Sequence, residues 1–384
     1  MNPPEIFFIA GEPSGDLHAA LLAEQFLQRA DVRLTGVGGD RMRAAGVATD
    51  FDSSGWGAIG VPEALRKLPM LYYRKEQIVR LLKQRRPALL ILVDFGAFNV
   101  RLARELRRQA WHQPIMYYFP PSSWDRSERD RSRLAAIADV VATPFPWSQE
   151  LLRKDGVDAH FVGHPVVDRV APVDDQPALR HSLGLPPAGH YVGLLPGSRR
   201  VERNLLGPQM LEVVRRLAPS GDYHFLWSPP PSAAAGPDRL PPDLAAHLTV
   251  IDDSVTIFQA ADLILTSFGT ATLEAAAATT PMLTMYRGTA AMRLQYRLMK
   301  IATPYYAMPN IIAGRELVPE LIQDEASGPE LARRVAELFA HPEQLAQMRE
   351  GLRQVRAQLG EPGASARAAE LALATINASP QGTA

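Results

Sequence analysis

The chain has 384 residues, too many for one hydrophobic core of ordinary size and enough for two domains. Lys+Arg and Asp+Glu balance at 41 each, which argues against a global nucleic-acid footprint and confines any basic contact to a local patch. There is no cysteine, which excludes disulfides, thiolate metal sites and a cysteine nucleophile.

The N-terminus carries no basic n-region, and the apolar run "IFFIA" is too short for a signal core. No apolar run approaches the roughly 18 residues of a spanning helix. The expectation is a cytoplasmic protein, either soluble or bound to a membrane surface. In chain order, apolar runs predict strands near Ile6–Ala10, Leu34–Val37, Leu89–Val93, Ile115–Tyr118, Val140–Thr143 and His160–Val162. A second series falls near Tyr191–Leu195, His224–Trp227, Leu248–Ile251, Leu263–Thr266 and Met282–Met285. Near-continuous apolar strands alternating with amphipathic helices indicate parallel sheets covered on both faces. Two series predict an α/β protein of two doubly wound, Rossmann-like domains, with a ligand cleft at the carboxyl ends of both sheets. The expected boundaries are 1–168, completed by a C-terminal helix within 360–378, and 186–355, with 169–185 as a Pro- and charge-rich linker. The stretch 228–243, "SPPPSAAAGPDRLPPD", reads as an irregular surface loop.

Several turns carry chemistry. "AGEPSGD" joins the first strand directly to a helix. A Gly-rich turn of this kind aims backbone N–H groups at an anion, but Glu12 and Asp16 repel a phosphate, and neither G-x-G-x-x-G nor a P-loop is present. A plain reading as a capped helix start, with Ser14 or Asp16 as N-cap, fits equally well. "LLPGSRR" follows a strand of the second series, placing Ser198 and Arg199 where a guanidinium can pair with a diphosphate; an ordinary turn with a surface arginine is the alternative. In "TSFGTATLE", Gly269, Thr270 and Ala271 can offer N–H groups to phosphate at a helix start, and Glu274 can accept from ribose hydroxyls. Close helix–sheet packing explains the small residues there but not the glutamate. Asp94 ends a strand and is a candidate general base, or else a helix cap. His164 also ends a strand and is more readily structural than catalytic; His18 sits on the first helix. The segment 61–86 mixes apolar and basic residues as interfacial segments do, or packs as an amphipathic helix on its own domain. Metal chemistry finds no support: "DFD" at 50–52 is a three-residue D-x-D match that follows no clear strand.

Taken together, "AGEPSGDLHAA", "GVGGDRM", "FVGHPVVD", "LLPGSR", "SFGTATLE" and "MPNIIAGRELVPELIQDE" resemble the lipid-A-disaccharide synthase family over nearly the whole chain. The resemblance implies the GT-B architecture and a metal-independent, inverting glycosyltransferase without a cofactor. It implies transfer of 2,3-diacylglucosamine from UDP to 2,3-diacylglucosamine 1-phosphate, giving a β-1,6 disaccharide 1-phosphate and UDP. It places Glu12, Ser14, Gly15, Asp16 and Asp94 at the acceptor and the reacting carbons. Arg199, Gly269, Thr270 and Glu274 then hold the UDP, with Tyr286, Asn310, Arg315, Glu316 and Gln323 near the same pocket. Partners follow: a UDP-sugar, a glycolipid acceptor and, through 61–86, the cytoplasmic face of the inner membrane as a peripheral protein. A homodimer is allowed, and nucleic acid is not expected. The chain departs from the family at "DFGAFN", where Gly96-Ala97 replaces Pro-Asp, and at Asp125-Arg126-Ser127, where Ala-Trp-Arg is usual. Both changes lie in the acceptor half. The rival readings are a UDP-sugar transferase with another glycolipid acceptor, a UDP-sugar 2-epimerase, and a nucleotide-sugar-binding protein without catalysis.

Overall fold

The computed structural model describes residues 3–57, 61–120, 128–197, 200–229, 240–288 and 304–378. The chain forms two compact units, Met1–Pro165 with Leu359–Ala384, and Val166–Gln358.

The first unit is built on a seven-stranded parallel sheet of order β3-β2-β1-β4-β5-β6-β7. Its strands are β1 (Glu5–Ala10), β2 (Arg33–Gly38), β3 (Ala48–Asp52), β4 (Leu89–Val93), β5 (Ile115–Tyr118), β6 (Val140–Thr143) and β7 (Ala159–Phe161). Every residue of β1 is buried, and the two-residue period of a strand divides them between two cores. Ile6, Phe8 and Ala10 pack with Leu22 and Phe26 of helix α1 (Pro13–Arg29) and with Ala368 and Ala372 of the helix Ala364–Ala378. Phe7 and Ile9 pack on the other side. Their partners there are Ile78 and Leu82 of α3 (Val61–Arg85) and Leu102 and Leu106 of α4 (Gly96–Arg108). The short helix α2 (Asp40–Ala44) follows β2.

The second unit repeats the design with six parallel strands in the order β10-β9-β8-β11-β12-β13. They are β8 (His190–Leu195), β9 (Tyr223–Trp227), β10 (Leu248–Val250), β11 (Leu263–Ser267), β12 (Met282–Tyr286) and β13 (Glu320–Ile322). In each sheet the chain runs outward from a central strand and then returns to that strand's other side. The reversal falls between β1 and β4 in the first unit and between β8 and β11 in the second. Beyond the carboxyl ends of such strand pairs, open α/β sheets bind their ligands.

Three features differ from the sequence reading. Asp50 and Asp52 of "DFD" lie within edge strand β3, where Asp50 takes two hydrogen bonds from Arg85 (2.7 and 2.6 Å) and Asp52 caps the Ser54 N–H at 2.8 Å. They tie the sheet edge to α3 and to the turn that follows. β13 is a second edge strand absent from the sequence reading. The segment 169–185 carries a helix, Gln176–Ser182, anchored inside the second unit: Arg180 donates to the Ala260 carbonyl at 2.8 Å and pairs with Asp262 at 2.7 Å. Among the described residues no helix is long and apolar enough to cross a membrane. Most of the 228–243 loop lies outside the described residues.

Candidate active site

In the first unit the site begins where β1 and β4 end. Gly11 and Glu12 follow β1, and Asp94 follows β4. Asp94 and Phe95 both adopt left-handed backbone, at φ 45° and 47°. Two consecutive non-glycine residues in that region are strained, and such strain collects at functional sites. The surroundings enforce it. The Asp94 carbonyl accepts from Asn99 Nδ2 at 2.9 Å and Tyr117 Oη at 2.7 Å, and its N–H donates to the Tyr118 carbonyl at 3.1 Å. Gly11 is needed here because a Cβ on it would run into the Phe95 ring.

The turn leaves the Asp94 carboxylate largely out of water beside Glu12. Burial, and secondly the Glu12 charge, push it up from 3.8 to about 6, against hydrogen bonds from the Phe95 N–H and the Ser14 hydroxyl. A carboxylate with that value takes a proton readily near neutral pH. Ser14 therefore serves Asp94 and does not cap α1, whose N-cap is Glu12 without a side-chain cap bond.

Asp16 does not cap its own helix, the role its spacing suggested. Its buried carboxylate accepts from the N–H groups of Gly39 (2.6 Å), Arg41 (3.1 Å) and Met42 (3.3 Å). It thus caps α2 and ties "AGEPSGD" to "GVGGDRM". His18 and His164 also lie inside: their rings meet edge-on at 5.7 Å, and Phe119 stacks on His164 at 5.7 Å. Burial, with His18 adding, pushes His164 down to about 3, so it is neutral at pH 7 and structural.

A cavity of about 730 Å³ opens over Asp94 and Glu12, within the usual range for small-molecule sites. Trp56, Phe95 and Phe98 form its aromatic wall, with Phe95 stacked on Phe98 at 5.4 Å and Trp56 tilted against Phe98 at 5.4 Å. Leu68, Leu71 and Tyr72 of α3 face Arg101, Arg104 and Arg108 of α4 across it. Leu65, Leu68 and Tyr72 continue as an exposed stripe at helical spacing, 59%, 41% and 64% accessible. The C-terminal half of α3 supplies the buried Ile78, Val79 and Leu82. One half of the 61–86 segment is therefore core, and the other is an apolar surface.

In the second unit, Ser198 and Arg199 lie outside the described residues. The turn leading to them is present. Gly197, at φ 109°, follows β8, and a Cβ there would collide with the Glu202 carboxylate. After β11, Gly269 (φ 134°) caps the helix Thr270–Ala277, with open space where its Cβ would stand. Gly269 and Thr270 are exposed and Ala271 half-buried. Phe268 stacks with Tyr286 at 5.9 Å and with Tyr306 at 5.6 Å. Burial and the Glu202 charge raise the Tyr286 phenol. Glu274 pairs with Arg169 at 2.9 Å. Gln323 (φ 58°) donates its N–H to the Tyr286 carbonyl at 2.8 Å, and its Oε1 accepts from the Gly288 N–H at 3.3 Å.

Asn310 is fully buried and every hydrogen-bonding position of its amide is filled. It donates to the Val318 carbonyl (2.8 Å) and Glu320 (2.9 Å), and accepts from the N–H groups of Leu317 (2.7 Å) and Val318 (2.8 Å). Asn310 lies on the helix Met308–Ala313, and Arg315 and Glu316 are exposed just past it. Sequence reasoning missed Glu320, which also takes the N–H groups of Tyr306 and Ala307. It missed the Arg169 partner, the aromatic wall and Asn99 as well. Asn99 stood in the sequence five residues after Asp94, at the spacing that lets an amide close the turn.

Residues 6–375 match the family described as lipid-A-disaccharide synthetase. The lipid-A-disaccharide synthase of Geobacter metallireducens is 35% identical, covering 96% of both chains. The chain belongs to the lipid-A-disaccharide synthetase family. It is accordingly a glycosyltransferase of lipid A biosynthesis. Solved structures share its GT-B fold at low identity. The calicheamicin glycosyltransferase CalG4 matches with a TM-score of 0.63 at 19% identity, covering 98% of this chain and 99% of that one. The UDP-GlcNAc 2-epimerase from Neisseria meningitidis, bound to UDP-GlcNAc, matches with 0.59 at 13% identity, covering 97% and 100%. At such identities the likeness is one of fold alone.

Proposed function

We propose that this family member transfers 2,3-diacylglucosamine from UDP to the 6-hydroxyl of 2,3-diacylglucosamine 1-phosphate, with inversion, at the inner membrane surface. The observation that carries the reading is Asp94. It is a strained, largely desolvated carboxylate at the switch point of the first sheet, raised to about 6 and lining an apolar cavity. Asp94 takes the proton from the acceptor hydroxyl as that oxygen attacks the anomeric carbon. Ser14 and the Phe95 N–H hold the carboxylate in place. The C1–O bond to the diphosphate breaks on the opposite face and UDP leaves.

The second unit supplies the leaving-group half. Gly269, Thr270 and Ala271 offer N–H groups at a helix start, Ser198 and Arg199 supply a hydroxyl and positive charge, and Glu274, held by Arg169, accepts from the ribose. Tyr286 and Gln323 shape the same strand ends; Asn310 acts through the loop it holds. The exposed Leu65–Leu68–Tyr72 stripe seats the protein on a bilayer, as peripheral helices do.

The test is a product assay. Purified protein receives UDP-diacylglucosamine and diacylglucosamine 1-phosphate with EDTA present. Disaccharide 1-phosphate and UDP should form together. UDP release with only a different glycolipid would transfer the proposal to that acceptor, and UDP binding without turnover on any acceptor would leave a binding protein.

A further inference from the structure

The cavity over Asp94 has a charge pattern that the fold does not require. Arg101, Arg104 and Arg108 follow one another at i, i+3 and i+7 on the face of α4 that lines it, so three like charges stand within two turns. Repulsion at that spacing disfavours the helix. One acid relieves it in part: Glu105 pairs with Arg108 at 2.9 Å. Arg101 and Arg104 form no ion pair among the described residues and stand exposed at the rim. Lys75, across the groove on α3, is already engaged with Glu76 at 3.1 Å and the Tyr72 ring at 4.7 Å.

We propose that Arg101 and Arg104 bind the phosphomonoester of the acceptor while one of its acyl chains lies along the apolar wall between α3 and α4. This inference rests on the transferase reading above and extends it to a named subsite. Three observations meet here. First, the guanidinium pair is placed to hold a dianion by charge-assisted, bidentate contacts. Second, the distance suits a single sugar: Arg101 and Arg104 lie about 7.5 and 12 Å along the axis from Gly96, the first residue of α4 and two residues after Asp94, at roughly 1.5 Å per residue. Long side chains reaching back from there span one hexose, with its hydroxyl at Asp94 and its phosphate at the rim. Third, the cavity has the size and the wall for a lipid-linked sugar: its volume of about 730 Å³ lies within the range of small-molecule sites, and Leu68, Leu71 and Tyr72 line one side of it. The second chain continues over Leu65, Leu68 and Tyr72, which extend from the same groove to the surface.

The experiment compares acceptors in the full-length protein. Transfer from UDP-diacylglucosamine is measured with diacylglucosamine 1-phosphate and with its dephosphorylated form, in detergent micelles without other lipid. The wild type should prefer the phosphorylated acceptor by at least tenfold in kcat/KM. R101A/R104A should lose most of that preference, with the change in acceptor KM and with donor KM unmoved. R101K/R104K should keep part of it, because charge remains while the bidentate fork is lost. Both positions are exposed, and an unchanged melting temperature confirms that the variants fold. A wild type that transfers equally well to both acceptors overturns the inference and leaves the transferase reading standing. A wild type that transfers to neither overturns the reading itself. Vesicles of phosphatidylcholine, with and without phosphatidylglycerol, supply the last arm. If R101A/R104A loses only binding to the anionic vesicles and keeps acceptor selectivity, the arginines serve the bilayer surface and the proposed subsite is wrong.

Discussion

Replacing Asp94 by Asn should inactivate the enzyme and make it more stable. Asp94 ionises at about 6 in the folded chain against 3.8 for an unperturbed carboxyl. The folded state therefore binds this proton more tightly than the unfolded one. Stability linked to Asp94 is full at low pH and is lost as pH rises through about 6. At about 1.36 kcal/mol per pKa unit, the ionised carboxylate costs about 3 kcal/mol at pH 8. Asn carries no charge, tolerates the left-handed backbone at φ 45° and can still accept from Ser14. D94N should then melt roughly 6–12 °C above the wild type at pH 8, taking 2–4 °C per kcal/mol for a unit of this size. The gain should shrink between about pH 6 and 4 and vanish below. Thermal melts at pH 4 and pH 8, with UDP release assayed on the same samples, test this directly. An inactive D94N with no pH-dependent gain would refute the desolvated-base argument, because the cost and the catalytic use come from the same burial. An active D94N would remove Asp94 as the base.

Glu12 is the second cause of the raised value, so E12Q should move the acidic limb of the pH–rate profile, near pH 6 in the wild type, to lower pH; an unmoved limb would separate the two acids. Asp16 serves the fold: D16A should lose the three N–H contacts to Gly39, Arg41 and Met42 and about 2–4 kcal/mol of stability, readable in denaturant melts, with little change in kcat for the protein that remains folded. E274A should raise the UDP dissociation constant by tenfold or more in calorimetry while sparing acceptor binding, and R169A should reproduce part of that effect through Glu274. His164, held near 3 against an ordinary 6.5, takes up its proton only on unfolding, so this group weakens the fold as pH falls from about 6.5 toward 3; H164F should flatten that acid-side loss in melts run from pH 7 to pH 4.

Sequence pattern carried the architecture because the central strands are unambiguous. β1, β4, β8 and β11 are buried runs of Ile, Leu, Val and Phe with little polar content, and such runs between helices admit few alternatives. The two missed strands are edges. β3 alternates exposed and half-buried residues, and β13 is three residues long with one of them buried. Neither has the apolar run on which recognition depends. For the site, the pattern located the turns but did not assign their side chains. Ser14 and Asp16 each look like an N-cap from spacing. Which one caps, and which helix it caps, is decided by β2 and α2 arriving beside α1, a contact 23 to 26 residues away in sequence. Asn310 misleads in the same way. A conspicuous amide in "MPNIIAGRELVPE" suggests a ligand contact, yet its four hydrogen bonds close the loop to Val318 and Glu320. The arginines of α4 were invisible because basic residues on an exposed helix face are ordinary. They acquire meaning only when α3 places Leu68 and Tyr72 opposite them.

The two sheets share one reversal of strand order, and their central strands end in turns of different composition. After β1 and β4 come Glu12 and Asp94, two acids close enough for one to raise the other. A phosphate would be repelled there, while a neutral hydroxyl can give up its proton. After β8 and β11 come the positive-φ glycines Gly197 and Gly269, the second capping the helix Thr270–Ala277, and the sequence continues with Arg199 and Arg200 after the first and Thr270 after the second. On the proposed reading a diphosphate binds there and a helix start aids its departure. In both units the sheet beneath is packed by buried residues such as Phe7, Ile9, Val192 and Leu194, so the fold holds these turns without dictating their chemistry.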